Sequence, residues 1–132
     1  PGLTTLLDRL ADFPLAIATS GRRVDVEKIL AELGLRDKFV FIVTVDDVEN
    51  GKPHPEPFLR AATGLGIAPE RALAFEDAPN GLRSAKAAGM YCVGVGVNRE
   101  ALAPYADLVI SDFTDPELNA LLARLNKRPT ST

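Results

Sequence analysis

Strand-like and helix-like segments alternate along this chain, and the alternation constrains its fold more than any other feature. Apolar runs that indicate buried strands occur at Leu15–Thr19, Phe39–Val45, Ala72–Phe75, Tyr91–Val97 and Asp107–Ile110. Strands separated by helices of about ten residues connect through right-handed crossovers, which make the strands parallel. The strands are almost continuously apolar, so we expect helices on both faces of the sheet. The sequence therefore predicts a three-layer α/β fold with a parallel sheet.

Apolar residues repeat at helical spacing in the segments that separate these strands. One such stripe consists of Val26, Ile29, Leu30 and Leu33, and Gly34 is typical of the residue that ends such a helix. The other predicted helices are Leu3–Leu10, Phe58–Leu65, Asn80–Ala88 and a last helix from Asp115 to Leu125.

Size and composition narrow the class of protein. The 132 residues suit one domain, which we place at residues 1–126, followed by a flexible tail at residues 127–132. The net charge is −3, with no basic stripe and no long apolar run, so neither nucleic acid nor a membrane is an expected partner. The single cysteine, Cys92, lies in an apolar strand, and we expect a buried, inert thiol and a cytoplasmic setting.

Ligands of such folds bind at the carboxyl ends of the strands, and three polar segments occupy these positions. The first is Thr19-Ser20-Gly21, which follows a strand and precedes a helix. Thr19 Oγ1, the nearby N–H groups and the helix dipole are suited to bind an anion, although a threonine here also suits a helix cap. Arg22 and Arg23, next in sequence, either approach a second phosphate or stay solvated.

The second segment is the loop Gly51–Pro55, which contains Lys52. Because glycine and two prolines restrict the backbone, the Lys52 ammonium can be aimed at a phosphoryl oxygen, unless the segment is only a surface turn. His54 is the only histidine, and no partner for it lies nearby in sequence. We therefore interpret His54 as part of the loop rather than as a general base.

The third segment, Phe75–Gly81, places Glu76 and Asp77 at the end of a strand. Two adjacent carboxylates repel each other unless a cation lies between them. Mg²⁺ prefers such hard oxygen ligands and commonly completes its coordination with water and substrate phosphate. Alternatively, Asp77 or Asn80 caps the helix that follows, or the pair forms a solvated acidic turn.

Each segment is a weak signal alone, but their order along the chain is typical of one family. Ala16–Ser20, Gly51–Phe58, Phe75–Gly81 and Ala85–Met90 resemble motifs II, III and IV of the haloacid dehalogenase-like (HAD) superfamily. They are most similar to its β-phosphoglucomutase-like and sugar-phosphate phosphatase branch. The resemblance covers residues 1–125 and implies a Rossmann-like core that hydrolyses small phosphorylated metabolites, with Mg²⁺ as cofactor and an aspartyl-phosphate intermediate.

The resemblance also implies a role for each residue. Thr19 and the backbone N–H of Ser20 bind the phosphoryl group. Lys52 neutralises charge on this group and on the nucleophile, so Thr19 and Lys52 are the catalytic residues implied for this chain. Glu76 and Asp77 hold Mg²⁺. The candidates for contacting the substrate or supporting the site are Gly21, Arg22 and Asn80.

The chain departs from the family at the nucleophile. Motif I of the family is Asp-x-Asp-Gly-Thr, whose first aspartate is the nucleophile, and this sequence contains no Asp-x-Asp. Asp46-Asp47 is a poor substitute, because it lies in the stretch that leads to Lys52 in relatives. The resemblance implies that the chain lacks the motif I strand, between the Leu15–Thr19 and Ala72–Phe75 strands, and the helical cap. We therefore expect an inactive chain that is truncated, proteolysed or separate from its partner segment.

Two other functions remain open. The chain can be a non-catalytic phosphate-binding or regulatory module that associates with another chain, or it can belong to a sugar phosphomutase. A receiver domain is disfavoured, because in such a domain the acidic pair precedes the lysine, whereas here Lys52 precedes Glu76 and Asp77. A dinucleotide-binding domain is also disfavoured, because no Gly-x-Gly-x-x-Gly opens a helix in this sequence. A homo-oligomer, or pairing with the missing N-terminal segment, would cover the strand edges that the absent strand leaves.

Overall fold

A computed structural model of the chain describes residues 2–126, and the predicted tail at residues 127–132 lies outside them. None of the helices in this described part is long and apolar enough to cross a membrane. The helices are α1 (Leu3–Arg9), α2 (Arg23–Leu33), α3 (Glu56–Leu65), α4 (Pro79–Ala87), α5 (Arg99–Leu102) and α6 (Pro116–Asn126). The strands are β1 (Ala16–Ala18), β2 (Phe41–Val43), β3 (Leu73–Glu76), β4 (Tyr91–Val95) and β5 (Leu108–Ile110).

The strands form two parallel sheets, which confirms the predicted α/β class. In the first sheet β1 pairs with β2, so that Ala16 lies opposite Phe41 and Ala18 lies opposite Val43. In the second sheet the order is β3-β4-β5, and both pairings are parallel. Each pair of neighbouring strands is joined through a helix or a longer connection, as parallel pairing requires.

Helices cover both faces of the second sheet, because successive strand residues point to opposite sides and each side carries its own apolar cluster. Ala74, Cys92 and Val109 pack with side chains from α3, α4 and α5 on one side. Val93 and Ile110 pack with side chains from α1 and α6 on the other. The residues that the helices contribute are Phe58, Ala62, Leu82, Ala85 and Leu102 on the first side, and Leu6, Leu118, Leu121 and Leu122 on the second.

Cys92 is fully buried in the first of these clusters, which confirms the predicted burial of the thiol. Burial raises the pKa of Cys92 to about 11, and the nearby Asp107 carboxylate acts in the same direction. The thiol is therefore protonated at neutral pH, and a protonated thiol is a poor nucleophile.

The two sheets do not pair with each other in the described part of the chain, and β1 forms one edge of the space between them. The Thr19 N–H donates to the carbonyl of Val43 in β2 at 2.9 Å. Since backbone groups alternate in direction along a strand, the N–H and C=O groups of Ala16 and Ala18 face away from β2. They lie on the edge that the sequence predicts to be left open.

The facing edge belongs to β3. The Tyr91 N–H donates to the carbonyl of Ala72 at 3.2 Å, so the backbone groups of Ala72 face β4. The same alternation turns the N–H and C=O groups of Leu73 and Phe75 away from β4. Two unpaired strand edges thus lie at the position where the family resemblance implies a strand.

The apolar stripe of α2 is only partly buried. Leu30 is buried, but Ile29 and Leu33 are 53% and 63% exposed. The first sheet has two strands of three residues each, so it offers α2 too narrow a surface to cover the whole stripe. The helix itself and its end at Gly34 are as predicted, but two of the four apolar residues of the stripe stay exposed.

Candidate functional site

Lys52 joins the carboxyl ends of β1 and β3. Its Nζ donates to the carbonyl oxygen of Ala18, the last residue of β1, at 3.0 Å. The same Nζ donates to the carboxylate of Glu76, the last residue of β3, at 2.6 Å. The side chains of Lys52 and Glu76 are each only 12% exposed. One ammonium therefore connects the two sheets at the edge where ligands of α/β folds bind.

The surroundings of the Lys52 ammonium strengthen its electrostatic interactions. Nζ lies 5.2 Å from the centre of the Phe58 ring, within the range of a cation–π interaction. Phe58 is buried and limits access of water to the ion pair. Charges interact more strongly where water is excluded, so the Lys52–Glu76 pair is stronger than a pair at the surface.

Thr19 follows directly on the Ala18 carbonyl that Lys52 binds. Thr19 Oγ1 accepts a hydrogen bond from the Gly21 N–H at 3.1 Å, which leaves its hydroxyl proton free to be donated. The N-cap residue of α2 is Arg22, which makes no side-chain cap, so the alternative that Thr19 caps this helix is wrong. Ser20 is exposed in the same turn.

Arg22 and Arg23 do not lie free for a second phosphate. Arg22 forms an exposed ion pair with Asp25 at 3.3 Å. Arg23 donates to Asp47 at 2.6 Å and, through its backbone N–H, to Asp46 at 2.9 Å. Both arginines therefore have carboxylate partners within the fold.

Asp46 and Asp47 fix the turn after β2 and do not face Lys52. Thr44 begins this turn with a capping box, in which its N–H donates to the Asp47 carboxylate at 2.7 Å. Burial alone would raise the pKa of Asp47, but hydrogen bonds from Thr44 and Arg23 outweigh it and lower this pKa below its ordinary value. Asp47 Oδ2 thus accepts hydrogen bonds from both Thr44 and Arg23, which hold the carboxylate in this turn.

Glu76 and Asp77 lie together between the end of β3 and the start of α4. The Asp77 N–H donates to the Glu76 carboxylate at 3.2 Å, and the Asp77 side chain is exposed. The N-cap residue of α4 is Ala78, with no side-chain cap, so neither Asp77 nor Asn80 caps this helix. Asn80 is exposed in the first turn of α4. The exposed Asp77 carboxylate is therefore available for a ligand, whereas the Glu76 carboxylate already pairs with Lys52.

Gly81 permits the position of the Glu76 carboxylate. A Cβ atom added to Gly81 would overlap Cγ, Cδ and Oε2 of Glu76. Gly81 is itself buried in α4, so the glutamate side chain folds back over the helix where only a glycine leaves room. The sequence analysis did not single out this dependence, because glycine in a helix of small residues carries no signal for a contact to another element.

Two carboxylates make an incomplete cage for a metal ion. Across residues 2–126, no group of three or more His, Cys, Asp or Glu residues is placed to hold a metal. Glu76 and Asp77 supply hard oxygen atoms, and Mg²⁺ typically binds one or two protein carboxylates together with water and phosphate. The residues present therefore fit Mg²⁺ better than a metal that requires a closed protein site.

His54 serves the loop rather than the ligand site. Its Nδ1 accepts a hydrogen bond from the Glu56 N–H at 3.1 Å, at the start of α3. Glu56 and Ser84, which the sequence analysis did not single out, also bind this loop. An acidic residue in the first turn of a helix was the available signal for Glu56, whereas Ser84 gave none.

Comparisons with known proteins identify what the chain is similar to. The family described as haloacid dehalogenase-like hydrolase matches residues 1–89. The chain is 39% identical, over 86% of its length, to validoxylamine A 7′-phosphate phosphatase of Streptomyces hygroscopicus subsp. limoneus. It is 37% identical, over 92% of its length, to beta-phosphoglucomutase of Bacillus subtilis (strain 168).

Solved structures share the same fold. The crystal structure of beta-phosphoglucomutase from Clostridium difficile matches 96% of the chain with a TM-score of 0.85 and 32% sequence identity. The chain covers 56% of that structure, and 55% and 53% of the two relatives above. It thus spans about half the length of the proteins it matches.

Proposed function

The chain belongs to the haloacid dehalogenase-like hydrolases, and we propose that it is the phosphate- and magnesium-binding part of a phosphohydrolase. The reaction proposed for the whole protein is hydrolysis of small phosphate monoesters through an aspartyl-phosphate. The observation that carries the proposal is the ion pair of Lys52 with Glu76, which joins the ends of β1 and β3. A fixed ammonium at this point suits phosphoryl transfer, in which positioning and charge neutralisation dominate.

Lys52 and Thr19 are proposed to bind the phosphoryl group. A lysine ammonium carries three donors, and two of them are used by Ala18 and Glu76. The third can point to a phosphoryl oxygen. The free hydroxyl proton of Thr19 and the N–H of Ser20 add further donors beside it. Together these donors neutralise the charge that builds up on the phosphoryl oxygens in the transition state.

Glu76 and Asp77 are proposed to hold Mg²⁺, directly or through water. The exposed Asp77 carboxylate has no hydrogen-bond partner among the described residues, and Glu76 already neutralises one cation, Lys52. Bound Mg²⁺ supplies positive charge that orients the phosphoryl group and lowers its repulsion toward an anionic nucleophile. Glu76 and Asp77 fix where this charge lies.

The nucleophile is proposed to come from a strand that fills the space between the sheets. Such a strand would pair with Ala16 and Ala18 on one side and with Leu73 and Phe75 on the other. If parallel to them, it would end beside Lys52, where a carboxylate gains the lysine as a partner. The 132-residue chain without this strand is expected to bind phosphate measurably, though less tightly than the complete protein. It is expected to be inactive, because loss of a nucleophile typically costs about a million-fold in rate.

A sugar phosphomutase is the second candidate. It is favoured by the beta-phosphoglucomutases among the relatives and the solved structures. Thr19, Lys52, Glu76 and Asp77 act on the phosphoryl group and serve either reaction, whereas the acceptor decides between them. Product analysis with a sugar phosphate distinguishes inorganic phosphate from an isomeric sugar phosphate. A cytoplasmic location, in keeping with the buried free thiol of Cys92, stays a prediction.

The proposal is tested with p-nitrophenyl phosphate, MgCl₂ and EDTA. The chain alone should show no magnesium-dependent hydrolysis. A chimaera with a strand ending in Asp-x-Asp-Gly-Thr ahead of residue 1 should hydrolyse the ester, and EDTA or Asp77→Asn should abolish this activity. Hydrolysis by the chain alone that Asp77→Asn abolishes would show that one of its own carboxylates is the nucleophile. A folded chimaera that binds phosphate without hydrolysis would favour the non-catalytic module.

A further inference from the structure

The loop that carries Lys52 is exposed, yet the lysine side chain is held at one point. Glu49, Asn50 and His54 are exposed, whereas the Lys52 side chain is only 12% exposed. The outer side of the loop lines an open groove of about 650 Å³ together with Arg83 and Ala87 of α4. Packing on that side is therefore too sparse to hold the loop, and its position depends on specific hydrogen bonds.

Glu56 binds the loop on the N-terminal side of Lys52. Its two carboxylate oxygens accept the backbone N–H groups of Glu49 at 3.1 Å and of Asn50 at 3.0 Å. Two successive N–H groups on one carboxylate fix both the position and the direction of the chain, two residues before Lys52. Hydrogen bonds to an ionised acceptor are about twice as strong as neutral ones.

Ser84 binds the loop on the C-terminal side of Lys52. Its hydroxyl donates to the carbonyl of His54 at 2.6 Å, and Ser84 is completely buried in α4. Between the two attachment points, the His54 N–H donates to the carbonyl of Gly51 at 3.0 Å and closes the turn around Lys52. The lysine thus lies in a short turn that is fastened at both ends.

Arg60 pairs with the Glu56 carboxylate and favours its ionised form. Its Nε donates to Glu56 Oε2 at 2.8 Å from one helical turn along α3. The pKa of Glu56 is lowered to about 2, first by this hydrogen bond and then by the N–H groups of Asn50 and Glu49. The carboxylate is consequently ionised wherever the protein is folded at ordinary pH.

We propose that Glu56 is a positioning residue for Lys52, and that Ser84 assists it from α4. The inference rests on the proposed function, because it assigns a task to the lysine of that site. Glu56 does not touch the ligand; it fixes the backbone from which Lys52 reaches Ala18 and Glu76. Loss of the Glu56 carboxylate should therefore weaken phosphate binding while the Mg²⁺ ligands, Glu76 and Asp77, stay intact.

The test uses Glu56→Gln, which keeps the shape of the side chain but has one acceptor oxygen instead of two. Arg60→Gln is the matched control, because it breaks the ion pair and leaves both bonds from Glu56 to the loop. Lys52→Met reports what the lysine itself contributes. Isothermal titration calorimetry of the 132-residue chain measures the Kd of inorganic phosphate in excess MgCl₂ and the Kd of Mg²⁺ alone, and urea unfolding reports the stability of each variant.

Glu56→Gln should raise the phosphate Kd about tenfold, as expected when a charged group shifts by a fraction of an ångström. The Kd of Mg²⁺ should not rise, and Arg60→Gln should bind phosphate like the wild type. A general loss of structure would weaken both ligands together, and this result would overturn the inference. Wild-type phosphate affinity in Glu56→Gln beside a loss in Lys52→Met would also overturn it and leave the proposed function standing.

Two further outcomes separate the inference from the proposed function. Absence of phosphate binding by the wild-type chain, or equal binding by Lys52→Met, would overturn the proposed function itself. If Glu56→Gln fails to fold, Ser84→Ala decides, because it removes the other attachment of the same loop. Ser84→Ala should raise the Kd of phosphate and leave the Kd of Mg²⁺ unchanged. Wild-type affinity of Ser84→Ala for both ligands would overturn the inference.

Discussion

Replacing Lys52 with methionine should destabilise the chain and at the same time make its stability more dependent on magnesium. The substitution keeps most of the aliphatic stem beside Phe58 and removes the ammonium. Glu76 then remains as a carboxylate of low exposure without its cation. Under the proposed assignment of Glu76 to Mg²⁺, the metal should replace that cation, whereas in the wild type it should compete with Lys52 for the same carboxylate.

The magnitude follows from two lost interactions. The hydrogen bond from Nζ to the Ala18 carbonyl contributes about 1 kcal/mol. Removal of one partner from a buried ion pair costs about 3–5 kcal/mol, and an exposed pair contributes about 0–1 kcal/mol. With side chains 12% exposed, the Lys52–Glu76 pair lies between these limits. We expect a total loss of about 2–4 kcal/mol, or a urea midpoint lowered by about 1–2 M.

Urea unfolding with and without MgCl₂ measures both effects. Mg²⁺ at about a hundred times its Kd adds about 2.7 kcal/mol to the stability of the form that binds it. The gain should be larger for Lys52→Met than for the wild type, and it should disappear when Asp77→Asn is added. Lys38→Met is the matched control, because Lys38 forms an exposed pair with Asp8 at 3.6 Å and should cost less than about 0.5 kcal/mol.

Two results would refute this reasoning. If Lys52→Met costs no more than Lys38→Met, the ion pair does not hold the ends of the two sheets together. If Mg²⁺ stabilises the wild type more than Lys52→Met, the lysine and the metal do not compete for Glu76.

Three other changes test separate parts of the structure. Gly81→Ala should displace the Glu76 carboxylate and weaken Mg²⁺ binding in calorimetry, whereas Gly51→Ala, where a Cβ meets open space, should not. Asp47→Asn should cost about 1 kcal/mol in urea unfolding at neutral pH, since the Asp47 side chain is partly exposed. Because the pKa of Asp47 is lowered in the folded state, its carboxylate adds to the free energy of unfolding at pH values above its ordinary pKa of 3.8. This contribution is lost as the pH falls below that value, so the variant and the wild type should become equally stable in acid. Cys92 should react with a thiol reagent only after unfolding, because its pKa is raised to about 11 and it is buried; rapid reaction in the native state would contradict this.

The convergence of Lys52 and Glu76 could be predicted from the sequence, because it depends on a general rule. Parallel strands bring their carboxyl ends to one edge, so polar residues that follow different strands become neighbours. Short apolar runs located β1 and β3, and Glu76 was already placed at the end of its strand. The ion pair itself was not predicted, because the family resemblance assigns Lys52 to the phosphoryl group and Glu76 to Mg²⁺.

The support of the site could not be predicted in the same way. Glu56 binds backbone N–H groups six and seven residues earlier, and neither Glu49 nor Asn50 shows this by its residue type. Ser84 reaches the loop from a separate helix across 30 residues of sequence. Local periodicity reports which face of an element is apolar, and it contains no information on such polar contacts between elements.

The open edges of β1 and β3 link the architecture of this chain to the chemistry proposed for it. The ammonium of Lys52 holds the two strand ends at a common point, although their backbones do not pair. A strand inserted between them would satisfy backbone groups on both edges, and its last carboxylate would meet an ammonium already engaged with Glu76. That ammonium would then be shared by two carboxylates, and Mg²⁺ would relieve their repulsion by taking over part of Glu76. Completion of the sheet and occupation of the metal site should therefore be coupled, each strengthening the other.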